Sequence, residues 1–367
     1  MEDIVEQVAG LASGEVAALA SLVWSSGSIP MSERAKVLVR SDGRLQGTIG
    51  GGCLEAEVLA LAREVATSGR PHLTRYTMTE KQAGESGLNC GGTVRIYTEP
   101  VGRDQDRVVY AEVQRLRIQR RACVLATLLS EASSARLLLC DDGRRLGSLG
   151  SPAADDQVEA AVERMLRQEC GAVLALKLGE EEKRQLSLAA GEVPEAFVEP
   201  FLPAPVLYVF GGGHVGAQVG RLAAHVGFRV VVIDDRPLFA DRERHPWAAD
   251  WVVGEMDEVF ARLPIDDQSY LVACTRGHQH DEIVVEQAVR TPARYIGMLG
   301  SERKKLLLWK RIEARGGERR RLDQVYAPVG LNIGADTPEE IAVSVVAELV
   351  KVRRGVKREW KTKKAGR

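Results

Sequence analysis

The stretch VLYVFGGGHVG, residues 206–216, decides the fold. VLYVF at 206–210 is a short apolar strand, and Gly211-Gly212-Gly213-His214-Val215-Gly216 fits the GxGxxG pattern. A helical pattern follows to about Val226, with Val219, Leu222 and Ala223 apolar. Residues 230–233 read as a second strand and end in Asp234-Asp235. The glycine pattern alone is weak. Between a strand and a helix, with an acid about 20 residues on, it reads as a βαβ dinucleotide-binding unit. Gly211 then makes the tight turn, Gly213 lets a pyrophosphate approach, and Gly216 lets helix and strand pack. The helix start, with Val215 in its first turn, faces the phosphates. Asp234 or Asp235 can accept from an adenine-ribose diol. A carboxylate there repels a 2′-phosphate and favours NAD(H), and Arg236 next door weakens that preference. The other reading is a Rossmann shell that binds no dinucleotide.

Alternation continues downstream, with further strands expected at 251–253, 270–274 and 294–298 and helices between them. This predicts an α/β fold with a C-terminal Rossmann-like, doubly wound parallel sheet. In such a sheet the carboxyl ends of the strands form the binding edge. The fourth strand delivers Thr275-Arg276-Gly277-His278-Gln279-His280-Asp281, and the fifth delivers Gly300-Ser301-Glu302-Arg303-Lys304. These residues converge beside the glycine loop. Phosphate contact by Arg276 and His278, or proton transfer, is the favoured role. A metal site built from His214, His278, His280 and Asp281 is the weaker reading, since His-x-His in a loop is poor evidence. No metal is expected. His72, His225 and His245 read as surface or core residues. Thr337-Pro338-Glu339-Glu340 offers a capping box with Pro in the first turn. Ile341, Val345, Val346, Leu349 and Val350 then make an apolar stripe that seals the sheet, a dimer contact being the alternative.

Upstream, the chain repeats itself at an offset of 100 residues. AKVLVRSDGRLQGTIG at 35–50 matches ARLLLCDDGRRLGSLG at 135–150 at seven of sixteen positions, and Tyr97-Thr98-Glu99-Pro100 matches Phe197-Val198-Glu199-Pro200. Each copy reads as a small α/β unit: a strand, an Asp-Gly hairpin, a second strand, a glycine, an amphipathic helix and a later strand. In the first copy Leu54, Val58, Leu61 and Val65 share one helix face. The Pro-rich EPFLPAP at 199–205 marks a hinge. The expected domains are 1–103, an α/β domain with glycine-flanked cysteines; 104–203, a degenerate second copy; 204–355, Rossmann-like and NAD(P)-binding; and 356–367, a basic tail.

The copies differ where chemistry can live. Gly50-Gly51-Gly52-Cys53-Leu54-Glu55 aligns with Gly150-Ser151-Pro152-Ala153-Ala154-Asp155, and Asn89-Cys90-Gly91-Gly92 with Ala189-Ala190-Gly191-Glu192. Both cysteines face alanines, so copy one keeps the candidate site. A thiol at a helix start after three glycines sits where free N–H groups and the helix dipole favour an anion. Glycines also let a bulky anionic ligand reach the backbone. The functional reading is a thiol pair, Cys53 and Cys90, handling sulfur, a metal or a redox group beside Gly51 and Gly52. The alternative is two small residues packing in tight turns. Cys123, Cys140, Cys170 and Cys274 lie in or beside apolar runs and read as core fillers.

Composition bounds the rest. In 367 residues, 45% are hydrophobic and 28% charged, which excludes a mainly disordered chain or a coiled-coil rod. No CxxC pair or zinc-finger spacing occurs, and scattered thiols fit a reducing compartment. No apolar run reaches the ~20 residues of a membrane span, and Met1-Glu2-Asp3 does not open a signal peptide. A cytoplasmic protein with no membrane contact is expected. Net charge is −1, but residues 353–367 hold eight Lys or Arg and one acid, which leaves the body at −8. With no basic stripe in the body, nucleic-acid binding is not expected.

Taken in order, GTIGGGCLEAEV, NCGG, VFGGGHVG, VVIDDRP, TRGH with Asp281, YIGMLGSERKK and APVGLNIGADTPEEIAVS resemble the xanthine dehydrogenase accessory family, XdhC/CoxI. The resemblance spans nearly the whole chain. It implies a maturation factor that binds the molybdenum cofactor, molybdopterin, assists its sulfuration and delivers it to a xanthine dehydrogenase-type molybdenum hydroxylase. It also implies contact with a cysteine desulfurase and a homodimer. Cys53 and Cys90 match the family's glycine-flanked cysteines. Gly211 to Gly216, Asp234 and Asp235 match its Rossmann blocks, as do Arg276, His278, Asp281, Gly300, Ser301 and Lys304. Two other functions stay open: an NAD-dependent oxidoreductase using a proton-transfer residue such as His278, and an NAD-sensing regulator indifferent to Cys53 and Cys90.

Overall fold

The computed structural model describes residues 4–29, 31–77, 92–166, 171–188 and 193–355. They divide into two compact units, Met1–Pro203 and Ala204–Arg367. The first unit holds two antiparallel sheets of the same design. After α1 (Ile4–Ala9), the strands β1 (Ala17–Ser26), β2 (Lys36–Arg40), β3 (Leu45–Thr48), β4 (His72–Thr77) and β5 (Thr93–Val101) run in the order β3-β2-β1-β5-β4, with α2 (Gly52–Ser68) between β3 and β4. After α3 (Asp104–Ile118), β6 (Cys123–Leu128), β7 (Arg136–Cys140), β8 (Arg145–Ser148), β9 (Ala172–Ala175) and β10 (Glu195–Phe201) repeat that order as β8-β7-β6-β10-β9. Helix α4 (Pro152–Leu166) stands in the place of α2, and the short α5 (Glu180–Gln185) follows β9. The Asp-Gly hairpins close alike, Arg40 N–H donating to Arg44 O at 3.0 Å and Cys140 N–H to Arg144 O at 2.9 Å. The 100-residue offset holds from β2 and β7 onward but not at the first strands. Ala17 faces Arg40, whereas Cys123 faces Cys140. Helix α3 is longer than α1, and the β1–β2 connection is longer than the β6–β7 one.

Side chains alternate across a strand, and here each face has its own partner. Ala18, Ala20 and Leu22 pack on Val58, Ala62 and Val65 of α2. Val124, Ala126 and Leu128 pack on Ala154, Val158 and Ala161 of α4. The opposite faces, carrying Leu19, Leu38, Leu125 and Leu138, share one core with Val8 of α1 and Val109, Val113 and Leu116 of α3. Ion pairs cross between the copies reciprocally. Lys36 meets Glu199 at 2.6 Å, and its repeat counterpart Arg136 meets Glu99, the counterpart of Glu199, at 2.6 Å. Arg95 pairs with its own counterpart position, Glu195. This is the i-to-j, j-to-i pattern of a two-fold interface, here within one chain. Arg136 is buried and also pairs with buried Asp106. Burial pushes the Glu99 carboxyl up to about 6, Arg136 opposing and Asp106 adding to the rise.

In the second unit β11 (Val206–Phe210), β12 (Arg229–Asp234), β13 (Asp250–Val253), β14 (Ser269–Ala273) and β15 (Tyr295–Met298) form a parallel sheet in the order β13-β12-β11-β14-β15. Strand order reverses between β11 and β14, which makes a topological switch point there. Helices α6 (His214–His225), α7 (His278–Ala288), α8 (Glu302–Ala314), α9 (Arg319–Leu322) and α10 (Pro338–Arg353) complete the unit. Tyr208 and Phe210 pack with Val284, Val285, Trp309 and Ile312. Leu207 and Val209 pack on the other face with Val219, Ala223, Val345 and Leu349. The expected stripe on α10 therefore seals the sheet beside α6. Its capping box also forms: Glu340 N–H donates to Thr337 Oγ1 at 3.3 Å, and Thr337 N–H to Glu340 Oε2 at 3.2 Å. Among the described residues no helix is long and apolar enough to cross a membrane.

Removing one partner of a buried ion cluster costs roughly 3–5 kcal/mol, whereas an exposed pair is worth about 1 kcal/mol or less. Arg136→Met, which strands Glu99 and Asp106, is expected to lower unfolding free energy in urea by an amount in the first range. Lys36→Met, at a pair 15% and 16% exposed, falls between the two. Equal losses would contradict the assigned burial. A pH series supplies a second check. Glu99 is harder to ionise in the fold than in the unfolded chain, so its contribution favours folding at acid pH. That contribution fades as pH rises from 4.5 towards about 6. Glu99→Gln removes it, so the variant gains stability relative to wild type across that window. His245, lowered by burial, has the opposite slope, but it is common to both proteins.

Candidate functional site

At the switch point Gly211 leaves β11 with φ +110°, a conformation closed to most side chains, and a Cβ there would strike the Cys274 carbonyl oxygen. A Cβ on Gly216 would collide with the Gly211 carbonyl oxygen, so α6 can pass this close to the strand only with glycine at that position. Gly213 differs: a Cβ there meets nothing within 4 Å. It is the N-cap of α6 and makes no side-chain cap. His214 opens the helix and is exposed, while Val215 packs partly against the core. Gly277, the N-cap of α7, is likewise open and makes no side-chain cap. Two helix starts without side-chain caps thus face the edge at which β11 and β14 end, a setting suited to anions. His278 is the first residue of α7, and its side chain lies outside the described set.

The two acids after β12 are already engaged. Asp234 is 2% exposed. Its Oδ1 accepts from Arg236 N at 3.1 Å and Arg236 Nε at 2.9 Å. Its Oδ2 accepts from Gly212 N at 3.0 Å and Arg236 Nη2 at 3.2 Å. Burial alone would raise this carboxyl, but the Arg236 side chain, the Arg236 backbone and the Gly212 N–H outweigh it, leaving its pKa below the usual value. Asp235 accepts from Arg276 Nη2 at 2.6 Å and lies 3.7 Å from Arg236 Nε. Phe239 stacks under Arg236 at 3.6 Å and under Arg244 at 4.6 Å. Phe239 and Arg244 escape a motif-based reading because they sit in a connection. An aromatic and a second arginine soon after an Asp-Asp-Arg strand end are the signal that marks them.

The blocks after the fourth and fifth strands are tied to each other. Asp281, 1% exposed, accepts from Thr275 N at 3.0 Å and Thr275 Oγ1 at 2.7 Å, and it pairs with Lys304. Lys304 also donates to Leu299 O at 2.9 Å. Ser301 caps α8 by accepting from Lys304 N at 3.2 Å. A Cβ on Gly300 would press on the Lys304 side chain at 2.5 Å. These residues therefore fix the ends of β14 and β15 rather than offering free groups. Cys274 is buried, and burial pushes its thiol far up.

In the first unit Cys53 is exposed in the first turn of α2, whose N-cap Gly51 makes no side-chain cap. A Cβ on Gly51 meets nothing within 4 Å, and Gly52 is exposed with φ +70°. Thr48 Oγ1 donates to either Gly50 O or Glu55 Oε1, each at 2.8 Å, and accepts from Gly50 N. The second copy places an acid at the same position and ties it to one backbone N–H more. Buried Asp155 accepts from Ser148 Oγ at 2.7 Å and Leu149 N at 2.8 Å, and Ser151 is buried. Cys90 and Cys170 lie outside the described residues. Cys123 and Cys140 are buried, and Cys123 is pushed up to about 12 by burial.

A parallel sheet with this glycine loop and switch point is a Rossmann-type domain, here in a chain that also carries a duplicated antiparallel unit. Family models agree: one described as XdhC Rossmann domain matches residues 207–349, and one described as XdhC and CoxI family matches residues 10–77. The chain belongs to the XdhC and CoxI family. A Bacillus subtilis (strain 168) protein, named as a probable xanthine dehydrogenase subunit, is 27% identical over 346 residues, 93% of this chain and 94% of its own. The molybdenum cofactor insertion chaperone PaoD of Escherichia coli (strain K12) is 24% identical over 352 residues, 94% of this chain and 86% of its own. A crystal structure described as a xanthine dehydrogenase from Bacillus halodurans is similar with a TM-score of 0.76 at 25% identity, over 97% of this chain and 96% of its own.

The glycines of the loop are separable by substitution. Gly216→Ala drives a methyl into backbone and is expected to cost about 3 kcal/mol or more, while Gly213→Ala stays within about 1 kcal/mol of wild type. Thermal unfolding of both variants measures this, and a destabilised Gly213→Ala would contradict the open cradle.

Proposed function

We propose that this protein binds the molybdenum cofactor, assists its sulfuration and passes it to a xanthine dehydrogenase-type molybdenum hydroxylase. Membership of the XdhC and CoxI family supports the role, and so does the name of the insertion chaperone it resembles. One observation carries the choice of site. At the same position of the repeat, copy two ties Asp155 to Leu149 N–H and buries Ser151, while copy one, whose Glu55 meets Thr48, leaves Gly52 and Cys53 facing solvent. The pterin phosphate fits this glycine turn, where helix-start N–H groups favour an anion and a Cβ on Gly51 would meet nothing within 4 Å. Gly51, Gly52 and the first-turn N–H groups of α2 would hold it. Cys53 is the candidate sulfur carrier, since an exposed thiol beside a glycine cradle is accessible to a persulfide donor. The bound cofactor would supply the molybdenum centre that the client enzyme uses.

A cysteine desulfurase is the matching sulfur source, and a homodimer is the proposed working form. An NAD-dependent oxidoreductase is less well supported. The acids and lysine around the parallel-sheet edge, Asp234, Asp235, Asp281 and Lys304, are committed to ion pairs rather than poised for proton transfer.

The test is pterin and molybdenum content after loading with molybdopterin. Wild type is expected to bind stoichiometrically. Gly51→Val fills the cradle at a φ of −167° that any residue adopts, so it should fold and lose the pterin. Cys53→Ala should keep the pterin and lose sulfur delivery. Folded wild type that takes up no pterin would overturn the proposal. Full retention by Gly51→Val would move the site elsewhere.

A further inference from the structure

The corner of the parallel sheet beside the end of β12 is where a Rossmann domain meets the adenosine ribose. An acid there binds the ribose diol of NAD, whereas an arginine accommodates the 2′-phosphate of NADP. Sequence alone puts two acids at this corner; the geometry saturates Asp234 and ties Asp235 to an arginine. A carboxylate has about four acceptor sites, and Asp234 fills four with Gly212 N, Arg236 N, Arg236 Nε and Arg236 Nη2. No acceptor remains for a diol. Asp235 is held by Arg276 at 2.6 Å.

The groups left facing out are cationic. Arg236 lies on the Phe239 ring at 3.6 Å, its plane fixed by Asp234 beneath it. Arg244 lies over the same ring at 4.6 Å, and its Nε donates to Gly212 O at 3.4 Å. Arg276 is 53% exposed. Three guanidinium groups therefore gather around Asp234 and Asp235, with the Asp241 carboxylate turned to the backbone N–H of Arg244. A guanidinium with a fixed plane suits a phosphate, which it can bind through two parallel hydrogen bonds. The glycine loop beside it is open at Gly213, so a pyrophosphate can reach the start of α6.

We infer that the Rossmann unit binds a dinucleotide carrying a phosphate monoester on its adenosine ribose, with Arg236 and Arg244 selecting it over the free diol. NADP(H) is the ligand of this class, and NAD(H) is discriminated against. None of these residues belongs to the glycine turn of the first unit, so the inference stands or falls independently of pterin binding.

Calorimetric titration of the full chain with NADP+ and with NAD+ tests it. Wild type is expected to bind NADP+ roughly tenfold more tightly or better, the scale of a new charge-assisted contact. Arg236→Ala frees Asp234 and should erase or invert the preference. Should that variant fail to fold, Arg244→Ala serves, because Arg244 is exposed and the Asp234 cluster stays intact. It should weaken NADP+ severalfold and leave NAD+ unchanged. NAD+ binding as tight as NADP+ in wild type would overturn the inference, as would binding of neither. An equal loss for both dinucleotides in Arg244→Ala would do the same. Pterin content of the same preparations reads the carrier role separately.

Discussion

Two carboxylates almost sealed from solvent, Asp234 and Asp281, hold the carboxyl edge of the parallel sheet. Asp234 fastens the glycine loop through Gly212 N–H and fixes the plane of Arg236. Asp281 gathers Thr275 at the end of β14 and Lys304 of α8. A buried charge persists only when it is paired and hydrogen-bonded, and each of these is. The edge is therefore held by side chains from several elements, while the two helix starts between them remain open. Rigid support around an accessible cradle is what a binding site needs.

The first unit meets the same constraint through symmetry. Duplication placed a cation on the second strand and an acid on the last strand of each copy, and the copies exchange them as Lys36–Glu199 and Arg136–Glu99. The exchange let the two sheets share one core with α1 and α3. It also freed the copies to diverge at the turn before α2 and α4. Copy two tied Asp155 to the Leu149 N–H and buried Ser151 in that turn, and copy one kept the glycines and a thiol.

Much of this was legible in the sequence. The Rossmann strands followed from apolar runs that end in Gly211, Asp234, Thr275 and Leu299, because a sheet covered on both faces needs continuous apolar strands. The cap at Thr337 and the stripe of Val345, Val346 and Leu349 came from local chemistry and helical period. The repeat showed in the Asp-Gly turns. What stayed hidden was pairing between distant residues. Nothing in Asp-Asp-Arg shows that Arg236 folds back on Asp234 and fills its acceptors. Lys304 and Asp281 read as ligand-binding groups because both sit at strand ends, but their distance in sequence concealed that they bind each other. The reciprocal ion pairs were within reach, since Lys36 and Arg136, like Glu99 and Glu199, share repeat positions. The slip between the first strands, where Ala17 and Cys123 take equivalent places, was not. The identities that defined the offset begin only at β2.

The central claim is hand-over of cofactor to a client enzyme. The most direct measurement loads the purified protein with sulfurated molybdenum cofactor, adds an apo xanthine dehydrogenase-type hydroxylase, and follows client activity alongside the molybdenum left on each protein. The account predicts that molybdenum leaves this chain as client activity appears, faster than with an equal amount of free cofactor. Molybdenum that stays bound while the client remains inactive, with the chain folded throughout, would contradict it.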